Sequence, residues 1–279
     1  MRFGFHVSIA GGFDRVFARA AEVECETMQL FTGNPRGWTK RPLDSDEASR
    51  FRERLRSSSV SPVFAHSAYL PNLAASDRPL ARRTVSALVG EAERCRELGI
   101  GYLITHAGRS LGSRAATGLR RAATAVDRVL DRAPASVKLL IENTAGMGSE
   151  VGHDFEQLAE LLGQVEQSDR VGVVLDTAHL HAAGYDLTGR PGVDRTVREF
   201  DRVVGMGRLH LLHLNDSKSE RGGWLDRHWH IGQGRIGRAG FRAVVNHPLL
   251  RHLPGIMETP RSGPADDLDN LRTVRRLVK

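Results

Sequence analysis

Nine residues of this 279-residue chain carry side chains suited to metal chemistry: His66, His106, Glu142, Asp176, His179, His213, Asp226, His228 and Glu258. Each offers nitrogen or oxygen and none a thiolate, a mix that suits zinc and also admits Mn or Fe. Nine donors exceed what one tetrahedral ion takes. A carboxylate such as Glu142 can bridge two ions, so a cluster is the economical arrangement. Ions paired about 3.5–4 Å apart stabilise the attacking and leaving oxygens in phosphoester cleavage. Taken singly, a His of this kind is more often an ordinary core or loop residue, because imidazole has several uses. The weight of the set comes from where its members fall in the chain.

Six of the nine close short apolar runs. The pattern predicts strands over residues 2–8, 27–31, 60–65, 102–105, 137–141, 171–175, 209–212 and 255–257. His66, His106, Glu142, Asp176, His213 and Glu258 end the last six. Helical spacing fills the intervals. Phe13, Val16, Phe17 and Ala20 share one face; so do Leu80, Thr84, Leu88, Ala92 and Cys95; so do Phe155, Leu158, Leu162 and Val165. Further helices are predicted over 114–132, 194–204 and 241–247, with a final one carrying Leu268, Leu271 and Val274. Asp44 and Glu47 have capping-box spacing, Asp154 can N-cap the helix after it, and Gly99 is a C-cap candidate.

Short apolar strands separated by helices predict an α/β protein with a parallel sheet. Eight strand–helix units close most simply as one (β/α)8 TIM barrel, expected here as a single domain over residues 1–279. Closure brings the six strand-end donors to the C-terminal rim, where barrel enzymes place their chemistry. Carboxylates converging there repel one another and pay for desolvation unless a cation compensates them. His179, Asp226 and His228, in the loops after the sixth and seventh strands, add donors of the same type.

Other residues divide between roles. His6, ending the first strand, either orients a ligand or is simply packed. His210 faces opposite to Leu209 and Leu211, so it does not clearly join His213; His181 and His230 have no assigned role. Tyr69-Leu70-Pro71 follows His66 closely, and Arg36 lies in the loop after the second strand. Apolar or aromatic wedges of this kind unstack and kink duplex DNA, and an Arg can hold phosphate; ordinary loop packing is the competing role. Gly232, Gly234 and Gly237 resemble a glycine-rich phosphate loop but follow no first strand, so a dinucleotide site is poorly supported. Asn215, Asp216, Ser217 and Lys218 suit either a capped turn or phosphate contact.

Composition is consistent with these readings. Apolar residues make up 40% of the chain, as in globular proteins. The formal charge is +7, and only four of the 40 basic residues are Lys (40, 138, 218 and 279), which leaves 36 Arg. Arg excess suits phosphate recognition, although genomic base composition also produces it. Cys25 and Cys95 form no disulfide framework and fit a reducing compartment. The N-terminus shows no signal-peptide pattern, and no stretch has the roughly 20 apolar residues of a membrane span.

The motifs FHVSIAGG (5–12), LFTGNPRGW (30–38), HSAYLPNL (66–73), IENTAGMG (141–148), LDTAHLHAAGYD (175–186), HLNDSK (213–218) and DRHWHIGQGRIG (226–237) extend over nearly the whole chain. Through them the chain resembles the endonuclease IV family of apurinic/apyrimidinic (AP) endonucleases. That resemblance implies three zinc ions, with Mn or Fe fitting some sites. His66, His106 and Glu142 would hold one. Glu142 would bridge to a second, held also by Asp176, His213 and Glu258. His179, Asp226 and His228 would hold the third. Glu142 is the implied catalytic residue, and Arg36, Tyr69 and Leu70 the implied DNA contacts.

The implied activity is that of a zinc-dependent deoxyribonuclease IV (phage-T4-induced type). It would cut the phosphodiester 5′ to abasic sites in double-stranded DNA, leaving a 3′-hydroxyl and a 5′-deoxyribose phosphate, and would also repair blocked 3′ ends. A cytoplasmic, nucleoid-associated monomer that contacts no membrane is expected. Two departures from the family pattern, Met147 where Gln is common and Ala-Gly-Arg-Ser after His106 where Pro-Gly-Ser is typical, bear on the pocket rather than on the donors. The alternatives are a metal-dependent sugar isomerase or epimerase on a similar barrel, and a lesion-binding protein that does not cut.

Overall fold

Strand alternation explains why the six strand-end donors meet. The strands, in chain order, are β1 (Phe3–His6), β2 (Thr27–Phe31), β3 (Val63–His66), β4 (Tyr102–His106), β5 (Lys138–Glu142), β6 (Val171–Asp176), β7 (Leu209–His213), β8 (Asp216–Ser217), β9 (His228–Trp229) and β10 (Gly255–Met257). In the computed structural model, which describes residues 1–279, eight of them close a barrel in the order β1-β10-β7-β6-β5-β4-β3-β2. The pairings within the barrel are parallel, and β8 and β9 form a separate antiparallel pair. Phe64, Ile104, Leu140, Val174, Leu211 and Ile256 make an inner layer of their own. Each lies two residues before a donor, at His66, His106, Glu142, Asp176, His213 and Glu258. Side chains alternate with period two along a strand, so residues that share parity with this layer share its inward face.

Helices cover the outside, namely α1 (Val16–Glu22), α2 (Ser45–Ser57), α3 (Arg78–Leu98), α4 (Ala115–Leu130), α5 (Phe155–Gln164), α7 (Arg190–Val203), α8 (Gly237–Val245) and α9 (Pro264–Arg275), while the short α6 (Thr177–Ala182) follows β6 at the rim and carries His179. Their apolar faces meet the outward faces of the strands in a larger core that includes Phe51, Leu88, Val126, Phe155, Phe200 and Phe241. Fully burying a side chain of this size contributes about 1.5–3 kcal/mol, which makes this layer the main support of the barrel. No helix is long and apolar enough to cross a membrane.

Local signals held with small corrections. Asp154 caps α5 by accepting from the Gln157 N–H at 2.7 Å, and Gly99 ends α3 at φ 73°. Asp44 accepts from the Glu47 N–H, but the Glu47 carboxylate accepts from the Phe13 N–H at 2.6 Å instead of completing the box. The third strand, expected from residue 60, begins at Val63, just after Pro62, which has no N–H to donate. The helix expected from 194 begins at Arg190, with Pro191 in its first turn. The helix expected over 241–247 runs Gly237–Val245.

Candidate metal centre

The nine donors lie together at the C-terminal end of the barrel. Ligand-type atoms of His66, His106 and Glu142 fall within 4.8 Å of one another, as do those of Glu142, Asp176, His213 and Glu258. Glu142 is shared between the two sets and is buried at their junction. Its Oε2 lies 3.1 Å from His66 Nε2 and 3.7 Å from His106 Nε2. Its Oε1 lies 3.0 Å from His213 Nδ1 and 3.4 Å from His179 Nδ1. The third set differs slightly from the implied trio: Asp176 joins His179 and His228 in one compact group. Asp226 sits at the side of that group, its Oδ1 3.4 Å from His179 Nε2 and 3.2 Å from His228 Nε2.

Hydrogen bonds behind the rim set the ring orientations. His66 Nδ1 meets the Ser67 carbonyl at 2.8 Å, His179 Nδ1 the Asn143 carbonyl at 2.9 Å, and His228 Nδ1 the Glu258 carbonyl at 3.2 Å. A carbonyl only accepts, so Nδ1 carries the proton in each and Nε2 is turned into the site. His179 Nε2 and His228 Nε2 then face each other at 3.4 Å. Two lone pairs at that distance require a proton or a cation between them, which is the first sign that the set fits metal.

Electrostatics are the second sign. Burial opposes ionisation of Glu142, yet His213 and His106 hold its carboxyl well below the usual range. Burial likewise opposes the charged form of His213, but Glu142 and Glu258 push it up to about 9. His228 rises to about 9 against burial because Asp176 and Asp226 face it. His179 rises too, held by Asp176 and Asp226, whereas His106 is lowered by burial. The carboxylates therefore gather positive charge around them, and cations would take the place of those protons.

The structure also assigns residues whose role was open or unseen in the sequence. Gln29, fully buried on β2, accepts from His213 Nε2 at 2.8 Å and donates to Glu258 Oε1 at 2.6 Å. Its amide also lies 2.9 Å from His6 Nδ1, and His6 is 3.4 Å from Glu258 Oε1. His6 is thus an orienting residue rather than mere packing. The available signal for Gln29 is an amide between Met28 and Leu30, at the parity opposite to theirs. Asn215 is fully buried, donates to Asp176 Oδ2 at 2.7 Å and accepts from the Glu258 N–H at 2.7 Å. It positions two donors and does not reach solvent.

The glycine-rich loop is already filled by a carboxylate. Asp216 accepts from the N–H groups of Gly232, Gly234, Ile236 and Gly237 at 2.9, 2.9, 3.0 and 3.2 Å. A Cβ at Gly234 would lie 2.4 Å from the Ser217 carbonyl and 2.5 Å from Asp216 Oδ1, so no side chain fits there. The loop is a nest for Asp216 at the start of α8, not a phosphate site. Lys218 lies over the Trp229 ring, 3.4 Å from its centroid. Asp216→Ala would strand several of these N–H groups, at about 1–3 kcal/mol each. We expect a loss of about 2–4 kcal/mol, which calorimetry would read as a thermal midpoint lower by roughly 4–16 °C at about 2–4 °C per kcal/mol.

His210 does not reach the centre. Leu209 pairs with Val173 and Leu211 with Val174, so His210 is the extra residue of an irregularity in the pairing of β6 with β7. Its ring lies 5.7 Å from Tyr102 and a Cβ on Gly172 would strike it, at the end of the barrel far from the donors. His181 is buried with neither ring nitrogen partnered, and His230 Nδ1 meets the Asn270 amide at 3.1 Å.

A pit of about 530 Å³ opens beside the donors, lined by His66, His106, His179 and Asp226 on one side and Tyr69 and Leu70 on the other. Tyr69 is 69% exposed, packs edge-on against Phe31 at 5.5 Å, and donates its N–H to the Pro35 carbonyl at 3.1 Å. That bond ties its loop to the one carrying exposed Arg36. Exposed Trp224 covers Gly146: a Cβ there would lie 2.4 Å from the Trp224 ring, and a φ of +77° is one that side chains rarely adopt. Exposed Met147 is tied to the loop after His106: Glu150 accepts from the Met147 N–H at 2.9 Å and pairs with Arg109 at 3.0 Å. Gly108, Arg109 and Glu150 line the pit, so the altered loop after His106 stands in its wall and Met147 is tied to that wall through Glu150.

A closed parallel barrel with clustered donors on its C-terminal rim is a known architectural class, and a family model described as a xylose isomerase-like TIM barrel matches residues 17–277. The chain is 44% identical to a probable endonuclease 4 of Methanoculleus marisnigri over 276 residues, 99% of this chain and 98% of that protein. It superposes on the crystal structure of endonuclease IV from Thermus thermophilus with a TM-score of 0.89 and 35% identity, covering 99% of this chain and 98% of that one. The chain belongs to the endonuclease IV family. A D-tagatose 3-epimerase-like protein superposes with a TM-score of 0.74 at 18% identity, covering 99% of this chain and 97% of the other, a likeness of fold alone.

Proposed function

We propose that this chain is a DNA-repair AP endonuclease that hydrolyses the phosphodiester 5′ to an abasic site, leaving a 3′-hydroxyl and a 5′-deoxyribose phosphate. The observation that carries this reading is the join of two features: a cluster of nine metal-type donors, four of which line the pit beside it, and exposed Tyr69 lining the same pit. Membership of the endonuclease IV family supports it.

His66, His106 and Glu142 would hold one zinc; Glu142, Asp176, His213 and Glu258 a second; and His179, Asp226 and His228 a third, with Mn or Fe as substitutes at some positions. Bound zinc would make water a nucleophile at neutral pH and neutralise charge on the phosphate and the leaving 3′ oxygen. The remaining work belongs to the chain. Glu142, central and ionised, would orient or deprotonate the attacking water. Gln29, His6 and Asn215 hold the donors in place. Tyr69 and Leu70 would fill the space left by the missing base while Arg36 holds backbone phosphate. A sugar without a base is cheaper to extrude because nothing has to be unpaired.

The same pit would trim 3′-blocking groups. The reading has residues 1–279 act as one endonuclease domain and as a monomer, on nucleoid DNA in the cytoplasm.

The test is cleavage of an end-labelled duplex carrying one abasic-site analogue, with metal measured on the same sample. A cut 5′ to the lesion, lost on metal removal and restored by zinc, is expected. Full metal loading without a cut, or turnover of free sugars in its place, would overturn the reading. Two variants examine the parts. Tyr69→Ala should weaken lesion binding roughly 10- to 100-fold, since stacking on an aromatic contributes about 1–3 kcal/mol per base, and should leave metal content unchanged. Gln29→Leu should lower metal affinity about 10- to 100-fold, as loss of a ligand's hydrogen-bond partner does, read by titration against a competing chelator.

A further inference from the structure

The flank of the barrel carries a second basic feature outside the pit. A groove of about 310 Å³ runs between α3 and α4, and Arg78, Arg120, Arg121 and Arg128 line it without a single carboxylate. Arg78, Arg120 and Arg128 are exposed and Arg121 is half-buried. Their hydrogen bonds go to neutral partners: Arg121 Nη1 donates to Ser113 Oγ at 2.8 Å and Arg120 Nη2 to Thr117 Oγ1 at 3.4 Å. Other surface arginines are paired with acids, as in Arg50–Asp14, Arg109–Glu150 and Arg195–Asp186. Two carboxylates close by in sequence are engaged elsewhere: Asp77 accepts from the Leu80 N–H and Asp127 from the Glu166 N–H. An Arg-rich composition explains many arginines. In this groove four of them gather with none of the chain's 33 acidic residues in the lining.

The spacing has a direction. Arg120, Thr124 and Arg128 recur every four residues and share one face of α4. At 1.5 Å per residue they span about 12 Å, the axial rise of roughly three to four phosphates on one DNA strand at 3.4 Å each. The guanidinium fork matches phosphate oxygens. The groove also neighbours the pit along the chain. It is lined by Leu73, Ala75 and Ser76, while Leu70 and Asn72, just before them, line the pit.

We propose that the α3–α4 groove binds the phosphodiester backbone of duplex DNA flanking the lesion and extends the contact beyond the rim. This rests on the abasic-site reading above. The test compares Arg120→Gln/Arg128→Gln with wild type on two abasic-analogue duplexes, one ending close to the lesion and one extended by about two helical turns on each side. Each lost phosphate contact removes about 0.9 from the slope of log affinity against log salt. On the long duplex the slope should fall by roughly 1.8. On the short duplex binding and cleavage should match wild type, and thermal unfolding should be unchanged. Arg78→Ser alone should lower the long-duplex slope by about 0.9. A control removing equal charge from α7, Arg198→Gln/Arg202→Gln, should leave the slope unchanged.

An unchanged slope for the groove variants on the long duplex would overturn the proposal. So would an equal loss on the short duplex, or the same loss from the α7 control, either of which reports only the overall charge. A wild type that cuts the short duplex while the groove variants keep its slope sinks the groove alone. A wild type that neither binds nor cuts either duplex at full metal loading sinks the abasic-site reading and the groove with it.

Discussion

Glu142→Gln is expected to slow cleavage of an abasic-site duplex by at least about 10³-fold, equivalent to roughly 4 kcal/mol of lost transition-state stabilisation. The substitution nearly preserves shape and removes only the charge and one acceptor. Glu142 is shared between two donor sets, as Asp176 is, and it alone spans the His66–His106 pair and the His213 side, with Oε2 toward His66 and His106 and Oε1 toward His213 and His179. An amide puts an N–H where one of those oxygens now faces imidazole, so one side of the bridge is lost. Breaking a buried charge pair by changing one partner also costs about 3–5 kcal/mol. Metal content, thermal midpoint and single-turnover rate should therefore be measured on the same preparation. A variant that keeps its metals and cuts at the wild-type rate would remove Glu142 from the chemistry. A variant that loses metal in proportion to activity would make it a ligand only.

The second large effect is metal removal. Exhaustive chelation should abolish cleavage, and zinc should restore it. It should also lower the thermal midpoint, because the centre draws together four carboxylates, two of them, Glu142 and Asp176, almost entirely buried. Binding that is confined to the native state stabilises it by about 4.1 kcal/mol when free ligand is a thousand times Kd. For a chain of this size that is a fall of roughly 8–16 °C at about 2–4 °C per kcal/mol. Scanning calorimetry before and after chelation reads it directly. An unchanged midpoint with activity lost would mean that the donors hold their positions without metal, through Gln29, Asn215 and the backbone carbonyls. Activity retained in the stripped protein would overturn the metal-dependent reading.

These two experiments bear on the part of the site that the sequence makes most legible. The donors at the ends of β3 to β7 and after β10 stand out because a polar residue closing an apolar run is conspicuous, and because alternation fixes which side chains share a face. Phe64 and His66, or Leu140 and Glu142, must point the same way once the strand forms. His179, Asp226 and His228 are less legible. They lie on α6, in a loop and on β9, where no period governs direction, and motif resemblance alone grouped them. The structure adds Asp176 to that group, because the carboxylate that ends β6 also caps α6 by accepting from the His179 N–H at 2.9 Å.

The count and order of the barrel strands, their closure, the nitrogen and oxygen donors of the centre and the rim that carries them can all be read along the chain. These follow from periodicity and residue type, which are local properties. Tertiary structure alone decided which residues hold the donors still. The register that pairs His6 with Gln29 across β1 and β2 brings Gln29 to His213 and Glu258. The loop path that returns residues 232–237 to Asp216 turned an apparent phosphate loop into a filled nest. An irregular pairing of β6 with β7 placed His210 at the far end of the barrel, away from His213. The physical reason is common to all three. A hydrogen bond or a close approach between distant segments depends on register and closure, which involve two parts of the chain at once, whereas the facing of a side chain within its own strand depends on one.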